Sequence, residues 1–250
     1  MSLKKNVIAN YLGQGWRLLM SLAFVPVYIK YLGIESYGLI GVFAMLLTWL
    51  SLLDMGMKPA LAREMARFTG GEIPPQSIRD LLRSIEVIVI VVGCLVTVGV
   101  WLASEWLASD WVQTKSLPAG VVTNAFTLMG GVAALQFVES IYTSSIAGLQ
   151  KQVLQNIVIS LMATVRALGA VAILFWVSPT ISAFFIWQGV VSLITTILLA
   201  HVVYKLLPAA SCSARFSMTA LTGIWRYAAG MLGITVLGLL LTQTDKILLL

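Results

Sequence analysis

Long apolar stretches alternate with short polar segments along the whole chain. Seven of these stretches are near the roughly 20 residues that a helix needs to cross the hydrocarbon of a bilayer. They cover residues 7–29, 38–57, 86–107, 121–147, 157–177, 181–204 and 224–250. Because backbone amides find no hydrogen-bond partner in lipid, such stretches must be helices rather than isolated strands. The pattern therefore predicts an all-α, polytopic membrane helix bundle.

Composition supports the membrane class. Hydrophobic residues make up 59% of the chain and charged residues 10%, with a mean hydropathy of +0.95, whereas a soluble domain carries about 25% charged residues. The first apolar stretch exceeds the core of a secretory signal and contains Arg17 and Pro26, so we expect a retained helix. Cys94 lies in a predicted span and Cys212 in a connecting segment, so no disulfide is expected.

Basic residues predict the orientation. Lysine and arginine collect on the cytoplasmic side of membrane proteins, and an inside N-terminus places Lys30 and Lys115 on the outer side. The same choice places eleven basic residues inside: Lys4, Lys5, Lys58, Arg63, Arg67, Arg79, Arg83, Lys151, Lys205, Arg215 and Arg226. The net charge of +6 is thereby explained by orientation, without nucleic acid as a partner.

The segment after the second predicted span reads as an amphipathic helix. Arg63 and Arg67 are four residues apart and share one helical face, so we expect this helix to lie on anionic lipid head groups. Gly70-Gly71 and Pro74-Pro75 end it, and Ser77 is a candidate cap for a short helix entering the third span.

Six ionisable residues fall within or at the edges of the predicted spans. An unpaired charge at the centre of a membrane helix costs at least about 2.5–3.5 kcal/mol. We therefore expect these side chains to face one another or a water-filled cavity. They are Arg17, Asp54, Glu139, Arg166, Asp245 and Lys246.

Arg17 is the leading candidate for binding an anionic group. It lies about ten residues into the first span, roughly 15 Å deep, and shares one helical stripe with Asn10 and Gln14. A guanidinium group suits phosphate bidentately. The alternatives are a structural ion pair of Arg17 with Glu139 or Asp54, and ordinary hydrogen bonding between helices for the stripe.

Arg166 and Glu139 form a second candidate set. Arg166, near the middle of the fifth span, is predicted to line the same cavity as Arg17. Glu139 is a candidate proton or cation site, and the counter-ion of an arginine is the equally open alternative. Asp54, at the end of its span, is expected to be structural.

Polar residues of the last span complete the predicted cavity. Gln243 and Lys246 are candidate lining residues, and Asp245 is a second candidate for ion coupling. His201 stands alone, so no metal site is predicted. The sequence shows no phosphate-binding glycine loop and no catalytic cluster, so we predict neither a cofactor nor enzymatic activity.

Four stretches carry a family resemblance. They are Asn6-Val7-Ile8-Ala9-Asn10 followed by Gly13, Pro26, Tyr31-Leu32-Gly33 and Tyr37-Gly38; Leu53-Asp54-Met55-Gly56-Met57 with Ala60 and Arg63; Gly148-Leu149-Gln150-Lys151; and Gln243-Thr244-Asp245-Lys246. In order and spacing they resemble the O-antigen and exopolysaccharide flippases, within the superfamily that also contains multidrug exporters.

The resemblance implies a transporter of 12–14 helices built from two bundles. Residues 1–206 would then form the N-terminal six-helix bundle, 207–223 a cytoplasmic linker, and 224–250 the first helix of the second bundle. The last span is apolar to Leu250, with no basic flank, so we expect the chain to be part of a longer protein.

The resemblance also implies a function. The expected activity is translocation of a polyprenyl-pyrophosphate-linked oligosaccharide across the bacterial inner membrane by alternating access. Expected partners are this lipid, membrane lipids, and the glycosyltransferases and polymerase of the same pathway. One alternative is an antiporter of drugs or small cations on the same fold, which would favour acidic residues in the cavity. Another is a polytopic enzyme using the same lipid carrier, which would need a catalytic cluster in an enlarged outer loop.

Overall fold

A computed structural model describes residues 3–111, 117–208 and 213–248, with side chains described for 4–111, 117–208 and 213–238. Every regular element in these ranges is helical. The helices are α1 (Leu3–Ala23), α2 (Val25–Leu32), α3 (Ile34–Leu50), α4 (Met57–Thr69), α5 (Pro75–Trp106), α6 (Ala119–Gly148), α7 (Gln152–Trp176), α8 (Ile181–Leu206) and α9 (Met218–Leu248). A 3₁₀ turn, Ser51–Asp54, extends α3, and a π-turn, Leu107–Trp111, extends α5.

Six of the described helices are long and apolar enough to cross a bilayer. They are α3 with its 3₁₀ turn, α5 with its π-turn, α6, α7, α8 and the part of α9 from Met218 to Gly238. The prediction of an all-α polytopic bundle is therefore confirmed. Helix α5 begins at Pro75, so the predicted short helix before the third span is continuous with that span. Helix α9 begins at Met218, ahead of the predicted start at residue 224.

The first predicted span is divided into two helices. A continuous helix over 7–29 is wrong, because α1 ends at Ala23 and α2 begins at Val25. Pro26 explains the break, since its ring removes a backbone donor and clashes with the preceding turn. Helix α1 is not among the six apolar helices, because its asparagines, glutamine and arginine lower its hydropathy. Gly33, with a φ of 81°, then turns the chain from α2 into α3.

Helix α6 lies at the centre of the bundle. It packs against α5, α8 and α4, while α1 packs against α7, and α7 against α8. Aromatic edges fill the space between α2, α3 and α8. The rings of Tyr28 and Phe184 lie 5.3 Å apart, as do those of Phe43 and Phe185, both in edge-on geometry, which is a favourable arrangement of aromatic quadrupoles.

Helix α4 is part of the bundle and its apolar face does not rest on lipid. Leu61 and Met65 are fully buried, and α4 packs against α6. On its polar face Arg67 pairs with Glu64 and Glu72, each at 2.9 Å. The start of α5 and the end of α6 cover this apolar face, and contact of the basic face with lipid head groups stays a prediction. We call the end of the bundle formed by α4, the start of α5 and the ends of α6 and α8 the α4 end.

A tight turn joins α3 to α4. The Asp54 carboxylate accepts a hydrogen bond from the Lys58 backbone N–H at 3.2 Å, which satisfies a free N–H in the first turn of α4, whose N-cap residue is Gly56. Met55 and Gly56 both have positive φ, 49° and 73°. A Cβ at Gly56 would overlap the backbone carbonyl of Ala228 on α9, so glycine permits both the turn and the close approach of α9. Burial lowers the pKa of Lys58, and the neighbouring Asp54 charge partly offsets that shift.

Candidate functional site

The polar stripe of α1 meets α7 through a set of amide side chains. Asn10 Nδ2 donates to Gln152 Oε1 at 3.1 Å, and Asn156 Nδ2 donates to Asn10 Oδ1 at 2.6 Å. Asn156 Nδ2 also donates to the Gln152 carbonyl at 2.8 Å. Asn10, predicted to line a cavity, therefore lies in a helix–helix contact, as the alternative interpretation of the stripe expected.

Arg17 has a different environment from Asn10. Its Nε donates to the carbonyl of Gly13 at 3.2 Å, one turn earlier on α1. The side chain is partly buried, and among the described residues no acidic group lies within 4 Å of it. The two acids considered as structural partners are engaged elsewhere: Glu139 with Arg166 and Asp54 with the start of α4. Within the described part of the chain, the guanidinium Nη atoms make no hydrogen bond.

Gln14 lies one turn from Arg17 and is exposed on α1. In the described part of the chain its amide makes no hydrogen bond, so Gln14 and Arg17 together offer unused donors on one helix. Beside them, Trp16 Nε1 donates to Thr164 Oγ1 on α7 at 2.9 Å. Of the polar stripe, Asn10 is thus hydrogen-bonded to α7, whereas Gln14 and Arg17 have donors that no described residue uses.

Arg166 and Glu139 lie together, between α7 and α6. Arg166 Nη2 lies 3.5 Å from Glu139 Oε2 and donates to Ser192 Oγ on α8 at 3.1 Å. Their side chains are 24% and 17% exposed. Glu139 Oε2 is buried and has no well-formed hydrogen bond. The counter-ion arrangement considered for Glu139 is thus the one observed, with one acceptor atom not fully used, and a role in ion coupling stays a prediction.

The predicted site residues do not form one cluster in the described structure. Arg166 contacts α6 and α8, whereas Arg17 contacts its own helix. The side chains of Gln243, Asp245 and Lys246 lie outside the described residues, so their cavity-lining and ion-coupling roles stay predictions.

A buried acid that the sequence analysis did not single out lies at the α4 end. Glu86 on α5 is 2% exposed. Both of its carboxylate oxygens accept from the Tyr204 hydroxyl of α8 at 2.9 Å, and Oε2 accepts from Arg83 Nη1 at 3.2 Å. An arginine three residues before an acid at the edge of a span was the available signal, but it gave no indication of Tyr204.

A lateral groove of about 690 Å³ lies between α5, α6 and α8. It is lined mainly by apolar side chains, with Gly93, Gly131 and Gly189 widening it. The hydroxyl of Thr97 in its wall donates to the Gly93 carbonyl at 2.9 Å. Among the described residues, none that lines the groove is charged, and neither Arg17 nor Arg166 is part of its lining.

In the described part of the chain, six helices long and apolar enough to cross a bilayer define a multi-pass α-helical membrane protein. Comparison with known families makes this specific. The sequence profile of a family described as polysaccharide biosynthesis protein matches residues 3–250, and the chain belongs to this family. Searches of the curated proteins and of the solved structures found no match. The resemblance stated from the sequence is therefore confirmed at the level of the family.

Proposed function

We propose that the protein is a flippase that moves a polyprenyl-pyrophosphate-linked oligosaccharide, an O-antigen or exopolysaccharide repeat unit, across the bacterial inner membrane. Movement would follow alternating access, one bundle rocking against another around a site near the membrane centre. Membership of the polysaccharide biosynthesis family supports the general role. The proposed substrate class rests on Arg17, whose Nη atoms make no hydrogen bond to the described residues.

The sequence places Arg17 at membrane depth, and no acidic group of the described residues lies within 4 Å of it. A charge at this depth is costly and is retained where it serves a ligand or a conduction path. Its Nε is engaged with Gly13, which leaves the Nη edge for an incoming group. A guanidinium edge matches two oxygens of a phosphate, so the pyrophosphate of the lipid carrier is the group that we assign to it. Gln14 would donate to the same group.

Arg166 and Glu139 would act in a second step. While paired, the two charges neutralise each other, and Ser192 holds the arginine in place. Protonation of Glu139 would release the Arg166 charge toward the cavity, which links transport to a proton. Gln243, Lys246 and Asp245 on the last helix are proposed to complete the cavity and its coupling group.

The α4 end is proposed to be cytoplasmic, with the N-terminus on the same side. Eight of the basic residues assigned to the inside lie in α4, near the start of α5 or at the ends of α6, α8 and the linker, namely Lys58, Arg63, Arg67, Arg79, Arg83, Lys151, Lys205 and Arg215. The glycosyltransferases and polymerase of the pathway are the proposed protein partners, and the protein itself is proposed to be a carrier rather than an enzyme.

An antiporter of cationic compounds is the competing function. Such a protein needs an acid that is free to bind the cation. Glu139 is instead paired with Arg166, and Arg17 adds positive charge to α1. These contacts favour an anionic cargo over a cationic one.

Reconstitution in proteoliposomes tests the proposal. A fluorescent polyprenyl-diphosphate-linked sugar is placed in both leaflets, and a membrane-impermeant quencher reports how fast label moves between them. We expect the wild-type protein to accelerate movement, Arg17→Ala to abolish the acceleration, and Arg17→Lys to keep part of it because the charge remains while the bidentate edge is lost.

Arg67→Ala is the matched control, since this arginine is exposed and paired with two carboxylates at the α4 end. It should translocate the probe like the wild type. If Arg17→Ala moves the probe at the wild-type rate at equal incorporation, the assignment of the pyrophosphate site is wrong. Uptake of a fluorescent organic cation in place of the lipid would favour the antiporter.

A further inference from the structure

We propose that Gly13 and Asn156 are positioning residues that hold the Arg17 guanidinium in a binding-ready orientation. The inference rests on the proposed function, because it assigns these two residues to the same anion site. They act through Arg17 and do not themselves contact the ligand.

Helices α1 and α7 approach each other closely at Gly13. Gly13 is buried, and a Cβ there would overlap the side chain of Asn156, whose Cγ would lie 2.8 Å and whose Cβ 3.0 Å away. Contacts this short force the helices apart or displace the amide. A residue without a side chain is therefore what allows α7 to lie against this turn of α1.

Hydrogen bonds to both helices fix the Asn156 side chain. It is buried, and its Nδ2 donates to Asn10 on α1 and to the Gln152 carbonyl on α7. Asn10 Nδ2 in turn donates to Gln152 Oε1 at 3.1 Å. Three amides thus close a network across the two helices, and the orientation of Asn156 against Gly13 follows from it.

The contact between Gly13 and Asn156 is connected to Arg17 through the Gly13 carbonyl. The Gly13 carbonyl accepts from Arg17 Nε at 3.2 Å, so the backbone that Asn156 locks in place is the backbone that holds the guanidinium. With Nε engaged, the Nη edge remains for a ligand. Holding a long side chain in one orientation before binding reduces the conformational entropy lost on binding.

The experiment measures the affinity of the purified protein for polyprenyl diphosphate in lipid nanodiscs, with uncharged polyprenol as the reference ligand. We expect Arg17→Ala to weaken binding about 10-fold or more, as for a lost charged hydrogen bond. Gly13→Ala should weaken it about 3-fold or more, since part of the orientation is lost. Asn156→Ala, which removes the amide and creates no overlap, should act in the same direction.

The double variant Gly13→Ala/Arg17→Ala separates positioning from a general packing defect. If Gly13 acts through Arg17, the double variant should bind like Arg17→Ala alone, because coupled residues are non-additive. The matched control is Gly15→Ala on the same helix, where a Cβ meets nothing within 4 Å. This variant should bind like the wild type.

The outcomes distinguish the two proposals. If Arg17→Ala weakens binding but Gly13→Ala and Asn156→Ala match Gly15→Ala, the positioning inference is wrong and the anion site stands. The inference is also wrong if the losses of binding free energy from Gly13→Ala and Arg17→Ala add up in the double variant. If Arg17→Ala binds polyprenyl diphosphate like the wild type, the proposed anion site itself fails. Should Gly13→Ala not fold, Asn156→Ala and its double variant with Arg17→Ala decide the question alone.

Discussion

The charged side chains of Glu86 and Arg17 differ in how many of their hydrogen bonds are made within the protein. Around Glu86 the carboxylate is almost wholly buried, and both oxygens accept from Tyr204 while Arg83 supplies a compensating charge. Around Arg17 the guanidinium uses Nε, and its Nη atoms have no partner among the described residues.

The difference indicates what each charge is for. A buried ion with all of its hydrogen bonds made serves to join helices, since little of its bonding capacity remains for a ligand. A membrane-depth ion with unused donors is expensive unless something else supplies the missing partner. The Glu139–Arg166 pair lies between these cases, being paired but partly exposed, with one oxygen poorly bonded.

The largest expected effect is the loss of the Glu86 carboxylate. Glu86→Ala leaves the Tyr204 hydroxyl and the Arg83 guanidinium without their shared acceptor. Each hydrogen bond to a charged group contributes about 1.5–3 kcal/mol. Arg83, whose side chain is 50% exposed, can be hydrated once the acid is gone, so we expect a loss of about 3 kcal/mol. The free energy of unfolding, measured by denaturant titration in mixed micelles, should fall by that amount.

Glu72→Ala is the control for this prediction. Glu72 bonds Arg67 at the same 2.9 Å, but its side chain is 61% exposed, and such surface pairs contribute about 0–1 kcal/mol. Equal losses of unfolding free energy for Glu86→Ala and Glu72→Ala would contradict the structural role assigned to the buried cluster.

A smaller loss is expected for Gly56→Ala. The residue has a φ of 73°, and a Cβ would overlap the Ala228 carbonyl on α9. The left-handed conformation alone costs roughly 1–2 kcal/mol for a residue with a Cβ, so the unfolding free energy should fall by about 2 kcal/mol or more. Gly41→Ala, at a helical position with open space, should leave stability unchanged or raise it. A neutral Gly56→Ala would mean that α9 does not pack tightly on this turn.

Asp54→Ala is expected to cost about 1 kcal/mol, the typical net contribution of one intramolecular hydrogen bond. Asp54→Asn should retain most of the stability, because an amide oxygen still accepts from the Lys58 N–H. The same denaturant titration measures both. If Asn is as damaging as Ala at this position, the carboxylate has a function other than accepting this hydrogen bond.

Arg17→Ala should have the smallest effect on stability and the largest on transport. Because no acidic side chain of the described residues pairs with Arg17, and its one hydrogen bond is to a carbonyl of its own helix, the unfolding free energy should change by no more than about 0.5 kcal/mol. Lipid translocation should nevertheless be lost. A destabilisation as large as that of Glu86→Ala would place Arg17 in the structural class and remove the contrast between the two regions.

The spanning helices could be predicted from the sequence, because hydropathy and length are local properties. The stretches 121–147 and 181–204 correspond closely to Ala119–Gly148 and Ile181–Leu206. Pro26 indicates that the first helix is distorted near Phe24. It does not indicate that the chain divides there into two helices. The hydrogen bond between the Lys58 N–H and the Asp54 carboxylate spans four residues and is likewise local.

The partners of the polar side chains were much harder to predict. Asn10 bonds Asn156 across 146 positions, and Tyr204 bonds Glu86 across 118. No periodicity within one helix determines which face of another helix it meets. An arginine counter-ion was one of two interpretations of Glu139 from the sequence. Which arginine it was, Arg17 or Arg166, depended on the packing of α6 against α7 and α8.

The most direct test of the account asks whether residue 17 faces a water-filled, ligand-accessible space. In a background carrying Cys94→Ala and Cys212→Ser, Arg17→Cys is treated with a charged, water-soluble maleimide, beside Leu95→Cys on the exposed apolar face of α5. We expect labelling of Arg17→Cys and no labelling of Leu95→Cys. If Arg17→Cys stays unlabelled like Leu95→Cys, the residue faces lipid or is sealed from water, and the proposed anion site is contradicted.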